Sequence, residues 1–119
     1  MTASLYERLG CTEGITKIAD DIVETHLKNP RVATRYEGSD IAAVKNGAAT
    51  FFIMGTGGPE VYKGKDMLAT HKGMNIDCGE FMAVLDDVLE AMDKNNVGQR
   101  EQEEVLFVLY SMRGDIVFV

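Results

Sequence analysis

The chain has 119 residues and 13.1 kDa, enough for one compact domain, and a chain of that size buries about 65% of its unfolded surface. Twelve Lys+Arg against nineteen Asp+Glu leave a formal charge of −7 and a pI near 4.7, a balance that repels phosphate backbones and anionic lipid and so argues against a nucleic-acid or membrane-surface role. No apolar run approaches the ~18 residues of a membrane span, and the start MTASLYERLG lacks a basic-then-apolar signal, so the expected address is the cytoplasm.

Helical periodicity then runs through the chain. Ser4 caps a short first helix, with Glu7 completing a capping box, and Gly10 ends it. From Thr12 or Glu13 a second helix sets Ile15, Ile18, Ala19, Ile22, Val23 and His26 on one face, until Pro30 stops it. Residues 31–38 are long enough for a single turn closed by Gly38. Ser39 or Asp40 caps a third helix through Ile41, Val44, Ala48, Phe51 and Phe52, and it runs into the breakers Gly55, Gly57, Gly58 and Pro59. That glycine stretch lacks the hydroxyl residue that a phosphate loop places after its lysine, so it is expected to be a backbone turn.

A brief helix is expected from about Asp66 to His71 or Lys72, ended by Gly73. Asp77 caps a longer one with Phe81, Val84, Leu85, Val88, Leu89 and Met92 in its stripe, broken at Asn95, Asn96 and Gly98. The last helix is expected from Gln99 to about Val117, carrying Val105, Leu106, Val108, Leu109, Met112 and Ile116. Glu101, Glu103 and Glu104 read as a solvated helix start favoured by the macrodipole. No useful segment alternates with period two, so the class is all-α.

Two cysteines, Cys11 and Cys78, do not make a disulfide framework, and with His26 and His71 they lack the short spacings of a zinc site. His71 is the informative residue. Met67, Leu68 and Met74 stand at minus four, minus three and plus three from it, and Phe81, Val84 and Val105 are candidates to pack nearby. On the residues alone it is either a core histidine with backbone partners or an axial haem ligand, since one neutral imidazole in an apolar pocket is what a five-coordinate iron needs. Lys65 and Lys45 are the candidate cations for haem propionates.

The segments SLYERLG, ATRYEGSD, FFIMGTGGPEVYKGKDM, ATHKGMNI and GEF, spread over about residues 4–117, resemble the truncated haemoglobins, and the group I branch most closely. The GGP-x-x-Y-x-G-K run followed by a histidine is the specific part. The resemblance implies a single truncated globin domain over residues 1–119, a sandwich of two helices on two enclosing a haem b. Residue by residue it implies His71 as the metal ligand and Lys65 as a propionate partner. Met67, Ile76, Phe81, Val84, Val105 and Leu109 fall on contacts to the macrocycle; Met74, Val44 and Ala48 join this cofactor-facing set. Phe51 and Phe52 match an aromatic pair, Tyr36 the ring stacked over the haem, and Gly57 and Gly58 a glycine pair. A second familiar glycine pair stands here as Gly10-Cys11.

The distal pocket departs from the group I pattern. Val23 stands where a tyrosine is usual, and Val44 and Ala48 stand where polar residues are common. Losing a donor to polar bound dioxygen forfeits ~1.5–3 kcal/mol and speeds its release roughly ten- to a hundredfold. Tyr36 either compensates by swinging its hydroxyl over the ligand or is a stacking ring with its hydroxyl in solvent. His26, one turn beyond Val23, is expected to be structural rather than a sixth iron ligand. The function implied is reversible binding of dioxygen, nitric oxide or carbon monoxide, with nitric oxide dioxygenation by way of a partner reductase, or peroxidase-like chemistry, as catalytic versions. The rival is a haem-free helical interaction module. A monomer or weak homo-oligomer is expected.

Overall fold

The computed structural model describes residues 3–119. Helix α1 (Leu5–Arg8) carries the expected capping box, Ser4 Oγ accepting from the Glu7 amide and the Glu7 carboxylate accepting from the Ser4 amide. Its Arg8 reaches across to α6 and donates to both Glu104 oxygens, at 2.6 and 2.8 Å, and to Glu101 at 2.7 Å. Two of the three acidic residues read as a solvated helix start are therefore an ion-pair anchor for α1, while Glu103 stays exposed. Sequence spacing shows no such link because Arg8 lies more than ninety positions away.

Helix α2 (Cys11–Lys28) starts slightly earlier than expected, with Gly10 at φ 98° and Cys11 at φ 60° turning the chain into it. Ile15, Ile18, Ala19, Ile22, Val23 and His26 are all buried on its inner face. A 3-10 turn, Ala33–Tyr36, follows, with Gly38 in the left-handed region soon after. Asp40 caps α3 (Ile41–Gly55) by accepting from the Ala43 amide. After α3 the glycine pair makes a turn, as expected: Gly57 has φ 102°, and a Cβ on Gly58 would stand 2.5 Å from the Tyr6 ring.

Helix α4 (Met67–His71) is capped by Asp66, but five residues cannot hold a helix by themselves. The chain terminus holds the loop that follows it. Gly73 and Asn75 donate their amides to the Val119 carbonyl, both at 3.1 Å, and Phe118 donates to the Ile76 carbonyl at 2.9 Å. This is where the sequence reading of the last helix fails. Helix α6 (Gln99–Ser111) stops well before Val117, a 3-10 turn at Arg113–Asp115 redirects the chain through Gly114, and Val117 pairs with Ile76 in a parallel bridge. Burying Val117 against Ile76, Phe81 and Leu85 competes successfully with another helical turn.

Helix α5 (Cys78–Lys94) begins with a second capping box, Asp77 with Glu80, and buries Phe81, Leu85, Val88 and Met92. The long helices pack with α2 against both α3 and α5, and α5 against α6. One core cluster centres on Ile15, Ile22, Ile53, Val88, Met92 and Val105. A second joins Ile76, Phe81, Leu85 and Val117. Members of both clusters wall a cavity. No helix among the described residues is long and apolar enough to cross a membrane.

Candidate functional site

That cavity has a volume of about 290 Å³, close to the ~300 Å³ at which small-molecule pockets begin. From α2 come Ile22, Val23 and His26; from α3, Val44, Ala48 and Phe52; from α4 and the loop after it, Thr70, His71, Met74 and Ile76. Helix α5 adds Glu80, Phe81, Val84, Leu85 and Val88, and Leu109 and Ile116 close the far side. The cavity walls are mostly carbon, so a group that fills the cavity must present mostly apolar surface to them.

Two histidines line the wall, His26 and His71, and His71 is the one anchored by a neutral backbone acceptor rather than a carboxylate. Its Nδ1 lies 2.8 Å from the Met67 carbonyl, and a carbonyl only accepts, so Nδ1 carries the proton and Nε2 keeps its lone pair. Metal-bound histidines use this arrangement, one ring N–H anchored so that the other nitrogen is oriented and basic. Met67 sits one helical turn earlier in α4, so the anchor follows from the helix itself. No group of three or more histidine, cysteine or acidic side chains among the described residues could hold a metal ion alone. A single oriented imidazole in an apolar wall fits a metal that brings its own macrocycle, and so fits a haem.

The structure brings most of the expected residues to this wall: Val23, Tyr36, Val44, Ala48, Phe52, His71, Met74, Ile76, Phe81, Val84 and Leu109. Four others lie off it. Phe51 packs edge-on against Phe52 and Tyr62, Val105 is in the main core, Met67 contributes its carbonyl to His71, and Lys65 is exposed. Lys45 is turned to Asp20 and Glu24, at 3.1 and 2.7 Å, and is not at the cavity.

The sequence reading missed Arg35. This residue lies at the cavity edge, donates to both Glu80 oxygens at 2.8 Å and to the Met74 carbonyl at 3.0 Å, and ties the turn before α3 to the segment after His71. Arg35 holds the Glu80 carboxyl below the ordinary glutamate value of 4.5. Its signal was available only as a cation in a short turn, beside stronger motifs.

On the opposite wall His26 is buried, as expected of a structural residue. Its Nδ1 lies 2.6 Å from Asp87 Oδ2 on α5, and the Asn29 amide donates to both Asp87 oxygens at 3.0 and 3.2 Å. Tyr36 lies nearly parallel to the His26 ring, 6.0 Å away at 10°. Burial, then the Asp87 charge, push the Tyr36 hydroxyl above the ordinary 10.0.

Comparison with known proteins decides the family. Residues 4–118 match the model of the family described as bacterial-like globin. The chain belongs to that family. Among curated relatives, this globin is 26% identical over 115 residues to the group 1 truncated haemoglobin GlbN of a Nostoc species, covering 97% of this chain and 98% of the relative. The crystal structure of truncated haemoglobin from Tetrahymena pyriformis in its Fe(III) form superposes with a TM-score of 0.94 at 26% identity, covering 98% of this globin and all of that chain. A group II truncated haemoglobin from Bacillus anthracis shares the fold, with a TM-score of 0.89 at 22% identity over 98% of this chain and 92% of its own. The fold is thus the truncated globin sandwich that the sequence resemblance implies.

Proposed function

We propose that this globin holds haem b with His71 as its axial ligand and reversibly binds diatomic gases on the side facing Val23, Val44 and Ala48. Bound haem supplies an iron with one open coordination position. The observation that carries the reading is the Nδ1–H bond from His71 to the Met67 carbonyl, which leaves Nε2 as a lone pair in an apolar wall. Met74, Ile76, Phe81, Val84 and Leu109 present carbon to the macrocycle; Arg35 at the cavity edge and the exposed Lys65 are the candidate cations for its propionates.

The distal wall favours plain gas binding over nitric oxide dioxygenation. Val23, Val44 and Ala48 offer no proton donor, and hydrogen bonds to a charged group are worth ~1.5–3 kcal/mol. Fast dioxygen release then competes with its reaction with nitric oxide, the step that would need a cytoplasmic reductase to restore ferrous iron.

Absorption spectra of the recombinant protein in ferric, ferrous and carbonmonoxy forms test this reading. A Soret band that shifts on reduction and on adding carbon monoxide is expected. His71→Gly should lose the cofactor or take it up only with added imidazole. A wild-type chain with no Soret band even after incubation with haemin would refute the proposal in favour of a haem-free interaction module.

A further inference from the structure

Among the polar groups of the cavity wall, His26 stands in a buried pair that gas binding does not use. His26 is 5% exposed and Asp87 4%, and they form a buried pair 2.6 Å apart. Asp87 contacts no lysine or arginine within ion-pair distance among the described residues; its partners are His26 and the Asn29 amide. In the neutral ring, a carboxylate facing Nδ1 accepts a hydrogen bond from that N–H, and His26 Nε2 carries the lone pair. Nε2 has no hydrogen-bond partner among the described residues, yet no fully buried side-chain nitrogen or oxygen there lacks one. Nε2 therefore keeps access to open space, and His26 is part of the cavity wall.

Resting on the haem reading above, we propose that His26, held by Asp87 and Asn29, is an internal base that lets the cavity take weak acids, the class of hydrogen sulfide and hydrogen cyanide, as neutral molecules. The acidic chain and apolar walls oppose entry of an anion, whose desolvation is costly, whereas the neutral acid HX enters without it. Inside, the H–X bond would break, with the proton going to His26 Nε2 and the electron pair staying on X⁻, the anion that a bound ferric haem would take as ligand. The imidazolium left behind faces Asp87, so its charge is paired in the interior. No electron is transferred. The other titratable or charged groups sharing the wall are Tyr36, Arg35, Glu80 and His71.

The test is stopped-flow association of hydrogen cyanide with ferric haem-loaded protein at pH 7, beside carbon monoxide association with the ferrous form. Proton transfer by a positioned group contributes roughly 10²–10⁴-fold, so His26→Val should slow cyanide association at least about tenfold. Carbon monoxide brings no proton and should change less than about threefold. Asp87→Asn keeps the shape but can donate to Nδ1, which shifts the ring proton to Nε2; it should slow cyanide similarly. Wild-type ¹⁵N spectra of the carbonmonoxy form should show His26 protonated at Nδ1. Unchanged cyanide rates in haem-loaded variants would overturn the proposal while leaving the haem reading intact. So would carbon monoxide slowing in parallel, or a ferric bis-histidine spectrum in wild type that His26→Val abolishes. A chain that takes no haem would sink both.

Discussion

Replacing Val23 by tyrosine probes the distal wall most directly. Val23 is 2% exposed and lines the cavity, with Val44 and Ala48 presenting only carbon from α3. A phenol at position 23 meets no acceptor on Val44 or Ala48, and where it donates to bound dioxygen rather than to His26 Nε2 one turn on, the partial negative charge makes that hydrogen bond worth ~1.5–3 kcal/mol. Converted to a rate, that slows dioxygen release by roughly ten- to a hundredfold. Carbon monoxide, less polar when bound, should leave at a rate changed by less than about threefold on the same argument. Overpacking opposes the gain at ~1–3 kcal/mol where the ring is not accommodated. Val44→Gln, at a half-buried site, supplies the same donor on a slimmer side chain. The assay is stopped-flow displacement of dioxygen by carbon monoxide from the ferrous oxy form. Release at the wild-type rate in both haem-loaded variants, or equal slowing of both gases, would refute the reasoning: the first would mean that a donor is already present, the second that only cavity shape changed.

Three further outcomes follow from features outside the distal wall. Cys11 sits at φ 60° with its side chain exposed, where an L residue costs about 1–2 kcal/mol; Cys11→Gly should raise stability by about 1 kcal/mol, read as a higher midpoint in thermal unfolding followed by circular dichroism. Arg35 and Arg8 hold Glu80 and Glu104 below the ordinary 4.5. Depressed values mean that this stabilisation is fully present above pH 4.5 and fades as pH falls through the lower folded values, so urea midpoints should drop below pH 4.5, and less so in Arg35→Met than in wild type. Deleting residues 117–119 removes the amide–carbonyl clasp on the loop after His71 and the buried Val117; transfer of haem to a scavenging apo-globin should speed up at least about tenfold, as loss of a group that orients a metal ligand costs ~10–100-fold.

Much of the fold was legible because its signals are local. Ser4 with Glu7, Asp40 and Asp77 each cap the helix that their positions suggest, since a cap needs only the next few amides. The orientation of His71 has a similarly local cause: its anchoring carbonyl is one turn back on the same short helix. What escaped depends on pairs distant in sequence. Arg8 with Glu101 and Glu104, Arg35 with Glu80, His26 with Asp87, and Val117 with Ile76 are each separated by more than forty positions. Periodicity records which face of α2 is buried, and it placed His26 correctly on that face. It carries no information on what α5 sets opposite.

The two walls of the cavity use the same device to different ends. On one, a backbone carbonyl fixes the proton of His71 on Nδ1; a neutral acceptor aligns the ring and leaves Nε2 a ligand. On the other, a carboxylate faces His26 Nδ1, and on the proposal above Nε2 is the base that takes the proton of an incoming weak acid beside a compensating charge. Exchanging the acceptors would exchange the roles: beside a neutral partner, His26 protonated at Nε2 would stand as an unpaired buried charge. In this reading a distal wall whose α2 and α3 neighbours Val23, Val44 and Ala48 carry no donor, but which carries one base, discriminates by proton content. Val23, Val44 and Ala48 give dioxygen and carbon monoxide no hydrogen bond, whereas His26 offers an incoming weak acid the acceptor that its proton requires.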